Sequence, residues 1–171
     1  MTIHSGHPFA TPEGDRDQVR RLRGALGGAV TLWAAGSGDA AAVLTVTSLL
    51  VAPGDPARLV ALLDPDSDLC ERLGETGRAV VTVLDWAQRD LADIAAGVAP
   101  APGGWRRFAE FEDTDYGPRL RTLDTWCLVS LESERTVGWS REVTCVIEAL
   151  NVGAGAPLIH RRGRYQRPAP E

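Results

Sequence analysis

The chain has 171 residues, of which 44% are hydrophobic and 24% charged, and its formal net charge is −5. These values are typical of a single soluble globular domain with a substantial core. The negative charge disfavours general nucleic-acid binding, and no apolar run reaches the roughly 20 residues that a membrane-spanning helix needs.

The two ends and the cysteines set the expected organisation. We expect a flexible polar lead at 1–14, without the apolar segment of a secretory signal, then a folded domain at 15–166 and a disordered tail at 167–171. Cys70, Cys127 and Cys145 are odd in number, widely spaced and without a Cys-x-x-Cys pair. This pattern favours free, buried thiols in a reducing compartment, so we expect a cytoplasmic protein.

Hydrophobic periodicity and turn residues predict a chain dominated by strands. In order, the predicted elements are a helix at 15–26, strands at 29–35, 41–51 and 58–63, a helix started by Ser67 and ending at 75, a strand at 79–84, a helix at 86–96, and strands at 124–132, 141–151 and 157–160. Val19, Leu22 and Leu26 fall on one face of the first helix. Most neighbouring strands are joined by turns, which favours a β-barrel with short helices over a doubly wound parallel sheet.

The most informative strand is 43–50, Val-Leu-Thr-Val-Thr-Ser-Leu-Leu. Because strand side chains alternate, Thr45 and Thr47 share one face, while Val46 and Ser48 share the other. Two hydroxyls side by side on one face provide room for a polar ligand or for water.

Other apparent motifs lack the context that their chemistry requires. Residues 36–41, Gly-Ser-Gly-Asp-Ala-Ala, match a dinucleotide fingerprint, but a β-branched run follows instead of a helix, which indicates a hairpin turn. Residues 138–142, Gly-Trp-Ser-Arg-Glu, lack the final glycine of a nucleophile elbow. His4 and His7 lie in the lead, and no close pair of metal ligands occurs elsewhere, so we expect no metal site.

Four segments occur together in a fixed order. They are Thr45-Val46-Thr47-Ser48, the helix start at Ser67, the strand 80–84 followed by Gln88, and the close from Pro157-Leu158 to Gly163-Arg164-Tyr165. In this order the chain resembles the flavin reductase-like family of FMN-binding split barrels, from about residue 19 to 165. The resemblance implies a mainly β (α+β) fold, a split β-barrel of antiparallel, Greek-key-like strands with peripheral short helices.

The resemblance also implies a flavin site. The ring would contact hydroxyls and amides of Thr45, Val46, Thr47, Ser48 and Leu49, and the phosphate would contact Ser67, Asp68 and Leu69 at a helix N-terminus. Leu63, Val81 and Trp139 would flank the ring, and Gln88, Arg89 and Tyr165 complete the expected set. Asp66 and Asp68 would repel a phosphate dianion, so Arg89 or Arg78 would have to offset them.

By the same resemblance, the expected reaction is reduction of FMN, or FAD, by NAD(P)H in a homodimer that supplies a partner monooxygenase. No protein nucleophile or base is required, because the cofactors carry the hydride chemistry. The chain departs from the family pattern at Val43, which replaces a glycine, at Thr82, where asparagine is common, and at Gly138-Trp139-Ser140, which replaces Gly-Asp-His. Trp139 could stack on the ring or fill the barrel, and a non-catalytic flavin carrier, sensor or redox partner remains the alternative.

Overall fold

The computed structural model describes residues 13–167, which form three α-helices and twelve strands. The helices are α1 (Glu13–Leu26), α2 (Asp68–Thr76) and α3 (Arg89–Ala95). The strands are β1 (Gly28–Ala29), β2 (Thr31–Ala35), β3 (Ala42–Val46), β4 (Leu49–Ala52), β5 (Arg58–Leu63), β6 (Arg78–Val83), β7 (Phe111–Thr114), β8 (Gly117–Leu120), β9 (Trp126–Val137), β10 (Ser140–Asn151), β11 (Ile159–Arg161) and β12 (Arg164–Gln166). None of the described helices is long and apolar enough to span a lipid bilayer.

Seven strands form the main sheet, in the order β3-β2-β6-β9-β10-β5-β4, with every neighbouring pair antiparallel. β3 and β4 form the two opposite edges, although only Thr47 and Ser48 separate them in the chain. The sheet must therefore curl until its edges approach one another. The Leu62 amide donates to the Ser48 carbonyl oxygen at 2.9 Å, which attaches this link to β5. The split β-barrel with short peripheral helices is confirmed.

The curled sheet is buried on both faces. Its concave interior holds Trp33, Leu63 and Val81, together with Leu69 and Leu73 of α2. The opposite face packs a second core against α3, β8 and the segment before β11; its largest members are Leu32, Leu84, Leu91, Leu120 and Leu158. Every residue of β2 is buried, because β2 separates the two cores.

Local signals position α2 accurately. Ser67 is its N-cap, and the Ser67 Oγ accepts a hydrogen bond from the Cys70 amide at 3.2 Å. Gly77 ends the helix with φ of +66°, a backbone conformation that glycine adopts without steric cost. Leu69 and Leu73, four residues apart, close one end of the barrel.

Four predictions about elements require correction. The strand predicted at 41–51 is wrong, because the chain breaks at Thr47–Ser48 to leave one sheet edge and join the other. The predicted inner face of the first helix is exposed: Val19, Leu22 and Leu26 expose 68%, 64% and 78% of their surface. The helix predicted at 86–96 is a 3-10 turn (Trp86–Gln88) followed by the shorter α3. The strands predicted at 124–132 and 141–151 are parts of one long hairpin, β9–β10, and the β7–β8 hairpin was not predicted.

A fifth prediction also requires correction: the strand predicted at 29–35 is divided at Val30 into β1, which pairs with β11, and β2 of the main sheet, and β12 was not predicted. The remaining element predictions are close to the observed bounds. β5 matches exactly, and residues 36–41 form a hairpin turn between β2 and β3. Helix α1 begins two residues earlier than the predicted folded domain. Most of the predicted lead, residues 1–12, and residues 168–171 of the predicted tail lie outside the described residues.

Candidate functional site

The link between the two edge strands, Thr47–Ser48, lies at the centre of the candidate site. Thr47, Ser48 and the following Leu49 are half-buried. Gly28 of β1 packs directly on the link, since a Cβ atom at Gly28 would lie 2.6 Å from the Thr47 carbonyl oxygen. From α1, Arg23 Nη2 donates to the Ser48 Oγ at 3.2 Å. Hydroxyls, main-chain groups and one guanidinium therefore converge at this point.

The turn before α2 lies at the same end of the barrel. β5 passes the Thr47–Ser48 link at Leu62 and leads through Leu63 into Asp64. The Ser67 hydroxyl donates to the Asp64 carbonyl oxygen at 2.7 Å and also accepts from Cys70, so it is committed to the turn itself. Asp68 is exposed at the start of the helix. The structure thus joins the Thr47–Ser48 link to the Ser67–Asp68 turn through Leu62 and the end of β5.

A second group of predicted site residues surrounds α3. The Thr45 hydroxyl donates to the Ala92 carbonyl oxygen at 2.7 Å, and the Tyr165 hydroxyl donates to Asp93 Oδ1 at 2.6 Å. Burial, and then the Asp93 carboxylate, raise the pKa of Tyr165. These bonds fasten α3 to β3 and β12.

Next to α3, Gln88 is half-buried at the end of the 3-10 turn. The Arg89 guanidinium donates to the Trp86 carbonyl oxygen at 2.8 Å and lies 4.8 Å from the centre of the Trp86 ring. Arg78 lies over the Tyr116 ring at 5.1 Å, just beyond the C-terminal end of α2. Among the described residues, neither arginine forms an ion pair with Asp66 or Asp68, so the expectation that one of them offsets these carboxylates stays a prediction.

Four of the predicted cofactor contacts, three to the ring and Leu69 to the phosphate, are core residues. Val46, Leu63, Leu69 and Val81 expose at most 4% of their surface and pack inside the barrel. Their side chains support the strands and helix that carry the polar groups.

Trp139 lies at the turn of the β9–β10 hairpin and is 59% exposed. Arg141 pairs with Leu63 across β10 and β5, so the hairpin leaves the barrel beside the Ser67 turn. The Arg135–Glu142 ion pair, with Nε and Oε1 2.7 Å apart, connects the two strands of the hairpin. The alternative that Trp139 fills the barrel is excluded, because its side chain lies outside it.

The thiols and acidic groups do not form a reactive centre. Burial raises the pKa of Cys127 to about 11 and that of Cys145 to about 12, so both thiols stay protonated at neutral pH. All three cysteines are free. Within residues 13–167, no group of three or more histidine, cysteine or acidic side chains could hold a metal ion. The Thr47–Ser48 link instead offers hydroxyls, main-chain groups and the Arg23 guanidinium, which suit binding of a polar ring with an anionic tail.

Sequence reasoning included Tyr165 but missed the contribution of Gly28, Arg23 and the arginines of the β11–β12 hairpin. The hairpin sequence Ile-His-Arg-Arg-Gly-Arg-Tyr is conspicuously basic, and its arginines were the available signal. β1 pairs with β11 and places Gly28 opposite His160. Because Gly28 also packs on the Thr47–Ser48 link, this pairing puts the hairpin beside the link.

The fold is a split antiparallel β-barrel with short peripheral helices, and comparison with known proteins identifies its family. The model of the flavin reductase like domain matches residues 23–169. The chain belongs to the flavin reductase-like family, and its class is that of a flavin-reducing oxidoreductase. A search of curated protein sequences finds no match.

Solved structures share the fold over nearly the whole chain. An NADH:FAD oxidoreductase, SgcE6 from Streptomyces globisporus, is 19% identical with a TM-score of 0.81, covering 94% of this chain and 98% of its own. The styrene monooxygenase flavin reductase SMOB from Pseudomonas putida is 21% identical with a TM-score of 0.76, covering 89% and 99%. BorF, the flavin reductase component of a bacterial two-component tryptophan halogenase, is 18% identical with a TM-score of 0.78, covering 91% and 100%. At these identities the likeness establishes the fold.

Proposed function

We propose that the protein is an NAD(P)H:flavin oxidoreductase that binds FMN or FAD and supplies reduced flavin to a partner enzyme such as a monooxygenase. The observation that carries this proposal is the family match over residues 23–169. Support comes from the relatives: SgcE6 is described in complex with NAD and FAD fragments, and SMOB and BorF are reductases of a monooxygenase and a halogenase.

We propose that the flavin ring binds at the Thr47–Ser48 link. The ring presents donors and acceptors along one edge, which match the hydroxyls of Thr47 and Ser48 and the main-chain groups of residues 45–49. Leu49 is half-buried beside them and supplies apolar contact. In this arrangement Thr45, Gln88, Arg89 and Tyr165 act through α3, whereas the core residues support the barrel.

The chemistry supplied by a bound flavin is acceptance of a hydride from the nicotinamide. The chain's residues position the two rings and exclude water from between them. The exposed Trp139 at the hairpin turn offers an aromatic face for stacking. Protonated thiols and paired carboxylates take no part in this scheme.

A flavin carrier, sensor or redox partner is the second candidate. It is favoured by Ser140, which stands where the family pattern has a histidine, at the strand start that follows Trp139. Among the described residues, the one histidine is His160, whose ring packs edge-on against Tyr165 with centroids 5.5 Å apart. In this case flavin would bind but NAD(P)H would not reduce it.

We also propose that the protein is a cytoplasmic homodimer. α1 exposes Val19, Leu22 and Leu26, and the edge strand β4 exposes Leu50 and Val51. Exposed apolar stripes and unpaired strand edges are typical of association surfaces. We expect Leu22→Glu to convert a dimer to a monomer in light scattering; a monomeric parent chain would contradict the proposal.

One preparation tests the function. The purified protein is mixed with FMN, FAD or riboflavin, and the melting temperature and flavin spectrum are recorded before and after anaerobic addition of NADH or NADPH. Binding must raise the melting temperature, because a ligand that binds only the folded state stabilises it. Bleaching indicates the reductase, and bound colour without bleaching indicates the carrier. No bound flavin and no thermal shift would refute both.

A further inference from the structure

The candidate site lies between surfaces of opposite charge. On one side is the acidic turn, which comprises Asp64, Asp66, Asp68 and Glu71. None of these four carboxylates forms an ion pair within the described part of the chain. Arg141, which pairs with Leu63 across β10 and β5 just before the acidic turn, already forms an ion pair with Glu134 at 3.5 Å. The start of α2 is therefore unfavourable for a phosphate group, despite its amides.

On the other side is the arginine surface, which comprises Arg23, Arg161, Arg162 and Arg164. All four are exposed, and none forms an ion pair with a carboxylate of residues 13–167. Contacts between α1 and β11 bring them together. The Arg162 amide donates to the Gly24 carbonyl oxygen at 2.9 Å, and the Arg161 side chain packs 3.3 Å from the Cβ position of Gly27.

The arginine surface is continuous with the proposed ring site. Arg23 contacts the Ser48 hydroxyl, and Gly28, the neighbour of Gly27, packs on the Thr47 carbonyl. A ligand whose ring lies at the link could extend its charged end over these arginines without crossing the acidic turn.

The backbone at Arg162 provides an independent indication. Arg162 and Gly163 form the two-residue turn of the β11–β12 hairpin, with φ of +51° and +76°. Such turns favour asparagine, aspartate or glycine at the first position, because other side chains are strained there. Arg162 is the one non-glycine residue of positive φ in the described chain. An arginine held at a conformational cost suggests a role for its charge.

We propose that the phosphate groups of the nucleotide cofactor bind the arginine surface, and that the acidic turn excludes them from the N-terminus of α2. This inference rests on the proposed function and revises the expected phosphate contacts at Ser67, Asp68 and Leu69. Flavin and nicotinamide nucleotides both carry such phosphates, and the test below separates the two sources.

The test compares dissociation constants of riboflavin, FMN and NAD⁺ in the full-length chain and three variants, measured by fluorescence titration and calorimetry. The variants are Arg23→Gln, Arg162→Asn and the double variant Asp66→Asn/Asp68→Asn. Arg162→Asn is the sharpest, because asparagine suits the turn and the variant should keep or raise the melting temperature. We expect each arginine variant to weaken FMN binding by about fivefold, the size of one charge pair near the surface. Riboflavin binding should be unchanged in Arg162→Asn, because Arg162 does not contact the Thr47–Ser48 link, whereas Arg23 touches the Ser48 hydroxyl.

The outcomes are distinct. Weaker FMN with unchanged riboflavin assigns the surface to the flavin phosphate, and weaker NAD⁺ alone assigns it to the nicotinamide dinucleotide. Unchanged FMN and NAD⁺ in both arginine variants would overturn the inference while leaving riboflavin binding, and so the proposed function, intact. If the aspartate double variant gains more FMN affinity than the arginine variants lose, the phosphate lies at the start of α2. That result would also overturn the inference. Absence of riboflavin binding to the parent chain would defeat the proposed function itself.

Discussion

The contact between Gly28 and the Thr47–Ser48 link allows a direct test of the link's importance. In Gly28→Ala the new methyl carbon would lie 2.6 Å from the Thr47 carbonyl oxygen. A carbon–oxygen contact relaxes to about 3.3 Å, so the two segments must separate by about 0.7 Å. Forcing extra volume into a close-packed region costs about 1–3 kcal/mol. If the ring binds at the link, a shift of this size should also slow flavin reduction by about tenfold or more, since 1 Å misplacements can cost about a hundredfold.

Chemical denaturation and anaerobic flavin reduction measure the two effects, and Gly74→Ala provides a matched control. Gly74 lies in α2 with open space at its Cβ position, so alanine should stabilise the chain by about 0.5–1 kcal/mol through helix propensity. We expect unchanged reduction kinetics in this control. A Gly28→Ala protein with parental stability and parental kinetics would refute the reasoning about the link.

Three further predictions concern the groups around the site. Thr45→Val should lower the free energy of unfolding by about 1 kcal/mol, because the hydrogen bond to the Ala92 carbonyl oxygen is lost. It should change flavin affinity by less than about twofold. A larger loss of affinity would mean that the Thr45 hydroxyl contacts the ligand. Tyr165 has a raised pKa in the folded chain, so its contribution to stability is present below about pH 10 and decreases as the pH rises towards the folded pKa. Denaturation in alkaline buffer should therefore show a steeper loss of stability in the parent than in Tyr165→Phe, and equal slopes would contradict this. Cys127 and Cys145 should resist a thiol reagent at neutral pH until denaturant is added, because their raised pKa values and burial suppress the thiolate; rapid labelling of the native chain would show otherwise.

Elements governed by local chemistry could be predicted from the sequence. The cap at Ser67 and the spacing of Leu69 and Leu73 determine α2 within a few residues, and the apolar run 58–63 coincides with β5. The order of hydroxyl, cap and C-terminal segments was sufficient to predict the family and its split barrel, which are confirmed.

Features set by distant contacts could not be predicted. The predicted strand is interrupted at Thr47–Ser48 because the sheet closes on itself. The residues 41–51 alone therefore do not predict the interruption. The stripe of Val19, Leu22 and Leu26 has helical spacing, but spacing does not say whether the partner surface belongs to the same chain. The arginine surface depends on the pairing of β1 with β11, which joins residues more than a hundred positions apart. The assignment of individual residues to the flavin stays a prediction.

Catalysed reduction of flavin is the central claim, and the anaerobic rate of flavin bleaching tests it most directly. The purified protein is mixed with excess FMN or FAD and NADH or NADPH, and the rate is compared with that of the same mixture without protein. We predict a rate proportional to protein concentration and slower with nicotinamide deuterated at the transferred position, because the hydride must move between the bound rings. A rate equal to that of the protein-free mixture with every combination of flavin and nicotinamide would contradict the account.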